Sequence, residues 1–423
     1  MKETSIRKEL AIMIRNGKGA MLGWSILTFI VVSIAGTFST GLPAIVAQNR
    51  LLPEQSSWLV TEYSIAIALA SAVYTRLANS CFMAKLLGAG LFICGAASIA
   101  GLFGSSYSAL AAIRLLQAIG AASVPGLSFV YVMRYIPAES RSVAFLQIAC
   151  SVGLAFGLGP LLGGGMTEFW GWHSLFVLPS LLLLPSLVLL PAWASRKEDA
   201  EPDKRSRFHW LDILRWGCSL LKLLRLPLYM WRLALQFVVF FVQMSVLYLL
   251  SMKCADLSYS AIETGALLTP GALCSALLIW RLGGWIRRRG RDVLAFSFVM
   301  AAAGSLLIAW GSSIPRMSII VGYAAIAAGT TMANAGLNHQ VSTKLNGSDP
   351  ADGLALAQLS QFLGGASGVA LSGQALGFYA PNNAGAVYDG LFLSMSGIAA
   401  LSALYYCVMK KRESRRFCAK SIG

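Results

Sequence analysis

With 423 residues, a net charge of +16, 57% hydrophobic residues and only 12% charged ones, the chain is too oily for two or three soluble domains and reads as an integral membrane protein. Its basic excess is not a nucleic-acid footprint: 30 of the 34 Lys and Arg fall on one predicted side of the membrane, only Arg50, Lys253 and Arg316 on the other, and Arg114 inside it. Such a bias sets topology and meets anionic lipid. Eight scattered cysteines without a CxxC pair, and the widely separated His173, His209 and His339, suggest no disulfide framework, no metal site, no cofactor and no enzyme triad.

Twelve apolar spans are long enough to cross about 30 Å of hydrocarbon: 21–46, 57–76, 86–104, 107–132, 142–165, 173–195, 231–252, 262–286, 293–313, 317–342, 353–378 and 388–409. The first is too long for a signal-peptide core. The even count and the charge bias predict an all-α, multi-pass protein of the cell membrane with both termini in the cytoplasm.

In the second span, "WLVTEYSIAIA" places Glu62 about 6 Å inside the helix if that helix starts near Leu59. The carboxylate can serve in coupling or cation binding, or it can be a hydrated residue of an outer vestibule. The fourth span carries Arg114 and Gln117 one turn apart in "RLLQAIGAAS". A charge there costs at least about 2.5 kcal/mol, so it faces a water-filled transport pathway or is a fixed polar anchor between helices. The fifth span holds "GLAFGLGPLLGGG". Gly153 and Gly157 are four apart, as are Gly159 and Gly163, with Pro160 between them. Smooth stripes of this kind admit a neighbouring helix closely, and the proline loosens the backbone of a helix that slides or bends.

Residues 196–230 interrupt the rhythm with a charged linker. A stretch follows whose Asp212, Arg215, Ser219 and Lys222 share one face, as in an amphipathic helix lying on the cytoplasmic leaflet. The chain thus divides into an N-terminal six-helix half (1–195), this linker, and a C-terminal six-helix half with a basic tail (231–423). Basic loops after the second and eighth spans occupy equivalent positions, the internal symmetry of a six-plus-six transporter. Gln236 and Gln243 mark the seventh span. Thr331, Asn334, Asn338 and Ser342 form a stripe on the tenth, and Gln358 and Gln361 lie on the eleventh. These are candidates to line a substrate cavity, with Asn334, Asn338 and Gln361 preferred, although interhelical hydrogen bonding explains each about as well. Ser260 and Glu263 predict a capping box, and Asp349-Pro350 a helix start. Asp389 is a weaker carboxylate candidate at a helix end.

"RLLQAIGAAS", "MRYIPAESR" and "GLAFGLGPLLGG" resemble consecutive signatures of the drug:proton antiporters of the major facilitator superfamily, most closely the tetracycline-efflux proteins of Gram-positive bacteria. The resemblance runs from Trp58 to about Pro179, from "LSYSAIETGALLTPGA" through loop 8/9, and from Gly329 to about Leu376. It implies the major-facilitator fold and proton-coupled export of a small amphipathic, drug-like or tetracycline-like compound by rocking of the halves. Arg114 matches the family's helix-4 arginine, linked to proton coupling, and Gly157, Gly159, Pro160, Gly163 and Gly164 match the antiporter motif. The departures are equally specific. The family has fourteen helices, and its loop 2/3 motif is replaced by Thr75, Asn79 and Phe82 where Gly, Asp and Gly are expected. In loop 8/9 Arg287 stands for an Asp, while Gly283, Arg288 and Gly290 remain, so the cytoplasmic gate lacks its carboxylates. The relatives' membrane acids fall at Ala35, Phe156 and Gly365. The expectation is a monomeric secondary exporter coupled to protons or a monovalent cation. The alternatives are an uncoupled facilitator and a non-transporting membrane sensor or assembly partner.

Overall fold

The computed structural model describes residues 17–78, 81–104, 106–187, 227–311, 314–343 and 350–421. Asn79, Asp349 and the expected amphipathic helix as far as residue 226 lie outside them. All regular structure among the described residues is helical. Nine helices there are long and apolar enough to cross a membrane, and they coincide with nine of the twelve predicted spans.

The first helix, α1, is Gly17–Asn49. The next, α2, is Pro53–Leu77, opened by a proline whose missing N–H costs nothing in a first turn. The Gln55 side chain accepts from the Leu52 N–H at 3.0 Å. This start lies six residues before the expected one. Glu62 therefore sits about 14 Å along the helix rather than about 6 Å, because the Pro-Glu-Gln start extends the helix beyond its apolar stretch.

Helix α3 is Met83–Gly101. The predicted fourth span divides into α4, Tyr107–Ala121, and α5, Ser123–Tyr135. The division has a local cause: Pro125 has no N–H to give to the Ala121 carbonyl. Arg141 then closes the end of α5, donating to the carbonyls of Ile136 at 3.0 Å and Met133 at 2.8 Å. Helix α6 is Ala138–Trp170 and stops at Gly171, whose φ of 76° suits glycine. The predicted sixth span enters through a 3-10 turn, Trp172–Phe176, and its described apolar helix is Trp172–Leu187.

The second half is built of α7 (Pro227–Asp256), α8 (Ala261–Trp310), α9 (Pro315–Thr343) and α10 (Pro350–Ser421). Here the eighth and ninth predicted spans share one helical run, as do the eleventh and twelfth. Arginines are good helix formers, so the basic stretch at 287–291 ends an apolar span without ending helical backbone. Neither run is straight. A Cβ on Gly271 would meet Ala324 at 2.8 Å, and one on Gly304 would meet the Gly322 carbonyl at 2.4 Å. A straight helix would hold those two glycines about 50 Å apart. Likewise the Tyr229 hydroxyl donates to the Gly353 carbonyl, while the rings of Trp231 and Tyr406 are 5.8 Å apart. Gly353 and Tyr406 would lie about 80 Å apart on a rod. Each run therefore folds back as two arms, and both pack on α7 or α9.

One apolar cluster threads both halves, joining Phe38, Leu42 and Ile45 of α1 and Leu59 of α2 to Val246 and Leu250 of α7, Tyr323 of α9 and Leu376 of α10. At the opposite ends of these helices, Tyr229, Leu233, Leu356 and Ala357 pack with Phe129 and Phe145. The halves touch at both ends of the bundle.

Candidate functional site

Arg114 is 1% exposed at the centre of α4. Its guanidinium carbon lies over two rings, 3.9 Å from the centroid of Phe38 on α1 and 3.9 Å from that of Tyr63 on α2. It donates to the Gln117 side-chain oxygen at 2.7 Å, and Gln117 donates to the Ser98 hydroxyl of α3 at 2.8 Å. Four helices thus converge on one cation. The rings stabilise it through their negative faces, an arrangement worth about 2 kcal/mol or more per pair when desolvated.

Glu62, next to Tyr63, lies within electrostatic reach of Arg114. The two form no direct ion pair among the described residues. Three buried polar atoms here have no hydrogen-bond partner: Glu62 Oε1, Tyr63 Oη and Arg114 Nε. Glu62 is the only carboxylate among the described residues with such an atom. Sequence reasoning found Arg114, Gln117 and Glu62 but missed Phe38, Tyr63 and Ser98. Aromatic and serine residues are common in apolar spans, and nothing in their spacing marks them as partners of an arginine on another helix.

The glycines of α6 sit in a sandwich. A Cβ on Gly159 would come 3.2 Å from the Ser33 carbonyl of α1, and one on Gly163 would come 2.3 Å from that of Thr37. On the other face, Gly164 meets the Ala261 carbonyl, and Gly265 of α8 meets that of Pro160. The Thr40 hydroxyl donates to the Pro160 carbonyl at 3.1 Å, and the Thr269 hydroxyl to that of Gly157 at 3.2 Å. Gly153 and Gly157 are buried. Helix α6 therefore joins the two halves along a backbone-to-backbone approach that only glycine permits. Gly163→Ala is expected to destabilise the protein by about 1–3 kcal/mol through overpacking against a backbone that cannot yield, read as a lowered midpoint in thermal unfolding. An unchanged midpoint would mean that α1 and α6 are not packed together.

A second polar cluster joins α7, α9 and α10. Asn334 Oδ1 accepts from Gln236 Nε2 at 2.6 Å, Asn338 Nδ2 at 3.0 Å and Gln361 Nε2 at 3.0 Å. Gln361 Nε2 also lies 3.3 Å from Asn338 Oδ1. The structure thus brings together the three preferred amides and Gln236. Gln243, two turns further along α7, is buried and joins none of these bonds. Gln358 is elsewhere too, donating to the Pro125 carbonyl of the other half at 3.2 Å.

Glu263 and Ser260 form the expected capping box, with bonds of 3.1 and 3.3 Å. Asp389 does not open a helix as expected. It lies within α10 and pairs with Lys253 at 2.9 Å. Of the gate residues, Asn79 lies outside the described residues. Gly283, Arg287, Arg288 and Gly290 are helical in α8, with their side chains outside the description. At Gly365, where the family resemblance leads one to expect an acid, a Cβ would meet Met244 Cγ at 2.9 Å. That space is occupied by α7.

The family model described as the Major Facilitator Superfamily matches residues 20–369. The riboflavin transporter RibZ of Clostridioides difficile (strain 630) is 24% identical over 161 residues, 37% of this chain and 35% of its own. The cephamycin export protein CmcT of Amycolatopsis lactamdurans is 29% identical over 151 residues, 36% of this chain and 31% of its own. The chain spans about a third of the length of these curated relatives. Among solved structures, the nucleoside transporter NupG covers 92% of this chain and 99% of its own at 16% identity with a TM-score of 0.68. A POT family transporter in complex with 5-aminolevulinic acid covers 92% and 96% at 14% identity with a TM-score of 0.69. At these identities the likeness shows the fold alone.

Proposed function

Because the chain belongs to the Major Facilitator Superfamily, a family of multi-pass membrane transporters rather than enzymes, we propose that it exports small amphipathic compounds of a drug-like kind by proton antiport. Twelve spans in two six-helix halves, with both termini and the amphipathic linker helix in the cytoplasm, alternate access to a site between the halves, and the monomer suffices for this.

The observation that carries the reading is the unpartnered carboxyl oxygen of Glu62 within electrostatic reach of Arg114. A coupling group must hold a proton in one state and release it in the other, within reach of the substrate path. Glu62 is a carboxyl group one residue from the ring that packs on Arg114, with an oxygen that no protein group holds. It can exchange a proton without breaking a protein hydrogen bond. Release of that proton sets a negative charge beside a guanidinium wedged between α1, α2 and α4, so protonation can bias how those helices pack. The close glycine packing of α6 on α1 and α8 supplies a surface along which the halves can rock. The antibiotic named for CmcT is in keeping with an exported drug-like substrate.

The test is efflux of a panel of fluorescent amphipathic compounds from cells expressing the protein, with and without a protonophore. Efflux that stops when the protonophore is added supports the reading. Efflux that persists overturns antiport in favour of an uncoupled facilitator, and no efflux of any compound overturns export.

A further inference from the structure

The four-amide cluster of Gln236, Asn334, Asn338 and Gln361 is badly balanced as an internal network. Asn334 Oδ1, which has two lone pairs, is approached by three N–H donors. Gln236, 1% exposed, keeps its own oxygen buried with no partner. Exchanging oxygen and nitrogen in every amide would swap donor for acceptor at each end and leave the same surplus and the same deficit. Helices held together by amides gain most when each group is satisfied, and a half-satisfied network is worse than apolar packing. The cluster costs stability as it stands, which calls for an occupant.

The chemistry of that occupant follows from the side chains. All four are neutral amides, so an ion would find no countercharge among them. A group that offers a donor to the Gln236 oxygen and takes N–H bonds now crowded onto Asn334 would relieve both faults at once. A carboxamide or cyclic imide edge has that donor and acceptor side by side. Phe240 lies one turn from Gln236 on the same face of α7, and Phe362 follows Gln361. Their rings are 6.4 Å apart, edge to face, an aromatic pair close in sequence to two of the amides and of the kind that favours an aromatic neighbour.

We propose that this cluster is a binding site for the carboxamide or imide edge of an uncharged aromatic compound, with Gln236 and Asn334 reading that edge. The inference rests on the transport reading above and names the class of substrate. Buried groups built to bond a donor reject an analogue that lacks it, because they are then left unpaired.

The test uses fluorescence titration of the purified full-length protein in detergent with 1,8-naphthalimide and with N-methyl-1,8-naphthalimide, which keeps the ring and loses the donor. Wild type is expected to bind the imide at least about tenfold more tightly than its N-methyl form. Gln236→Met and Asn334→Leu should each bring that ratio close to one. The ratio is internal to each variant, so a general loss of stability does not alter it. No saturable binding to wild type, equal binding of the two probes, or a ratio unchanged in both variants would overturn the site. Binding in detergent needs no proton gradient. Selective binding without protonophore-sensitive efflux therefore overturns antiport and spares the site, and the reverse result spares antiport.

Discussion

Glu62→Gln is expected to abolish proton-driven transport while leaving the substrate path open. In proteoliposomes with an imposed pH gradient, wild type should drive substrate against its concentration and move protons the other way, and the variant should do neither. Exchange of labelled for unlabelled substrate needs no net proton movement, so it should survive in the variant. Glutamine keeps the size of the side chain and its carbonyl oxygen, and the unpartnered Oε1 has no protein hydrogen bond to forfeit. The variant should therefore fold, as checked by its elution in gel filtration. Gradient-driven transport at the wild-type level in Glu62→Gln would remove Glu62 from the mechanism.

Arg114→Lys should be nearly as damaging, although the charge is kept. The guanidinium meets the rings of Phe38 and Tyr63 and gives an N–H to Gln117. A lysine ammonium is a compact point charge that cannot present the same fork of donors. It would also be buried among groups fitted to a planar cation. Transport is expected to fall by about 100-fold or more, the scale on which misplacement of a positioned group acts. Thermal stability should fall with it, because the ammonium cannot keep the Gln117 bond and both ring contacts in the same place. Arg114→Met, which removes the charge and keeps an apolar stem, should fold better than Arg114→Lys and transport no better. If Arg114→Lys transports normally, the contact of Arg114 with the two rings is packing alone.

Much of this was legible in the residues because membrane spans are dictated locally. A stretch of apolar residues about 30 Å long must satisfy its own backbone as a helix, whatever surrounds it. That constraint located nine spans, the arginine in α4, the glycine-proline pattern of α6 and the capping box at Ser260. The same local reasoning misjudged ends and connections. Glu62 lies further from the start of its helix than expected because a Pro-Glu-Gln start carries α2 beyond its apolar stretch. The basic stretch of α8 and the polar stretch within α10 continue as helix, since charge marks where a chain leaves the membrane and not where a helix stops.

Composition and spacing by themselves determined that this chain crosses the membrane many times as helices, that a charge lies buried in it, and that amides stripe two of its later spans. Which groups meet was decided only by tertiary packing. Phe38 and Tyr63 enclose Arg114 from two other helices, and Gln236, Asn334, Asn338 and Gln361 share one carbonyl oxygen, while Gln243 and Gln358 stand apart. The physical reason is one of range. Hydrophobic transfer acts on each segment independently and is written in its residues. Ring faces, lone pairs and glycine gaps act only across a few ångströms, between residues far apart in sequence that the fold alone brings together.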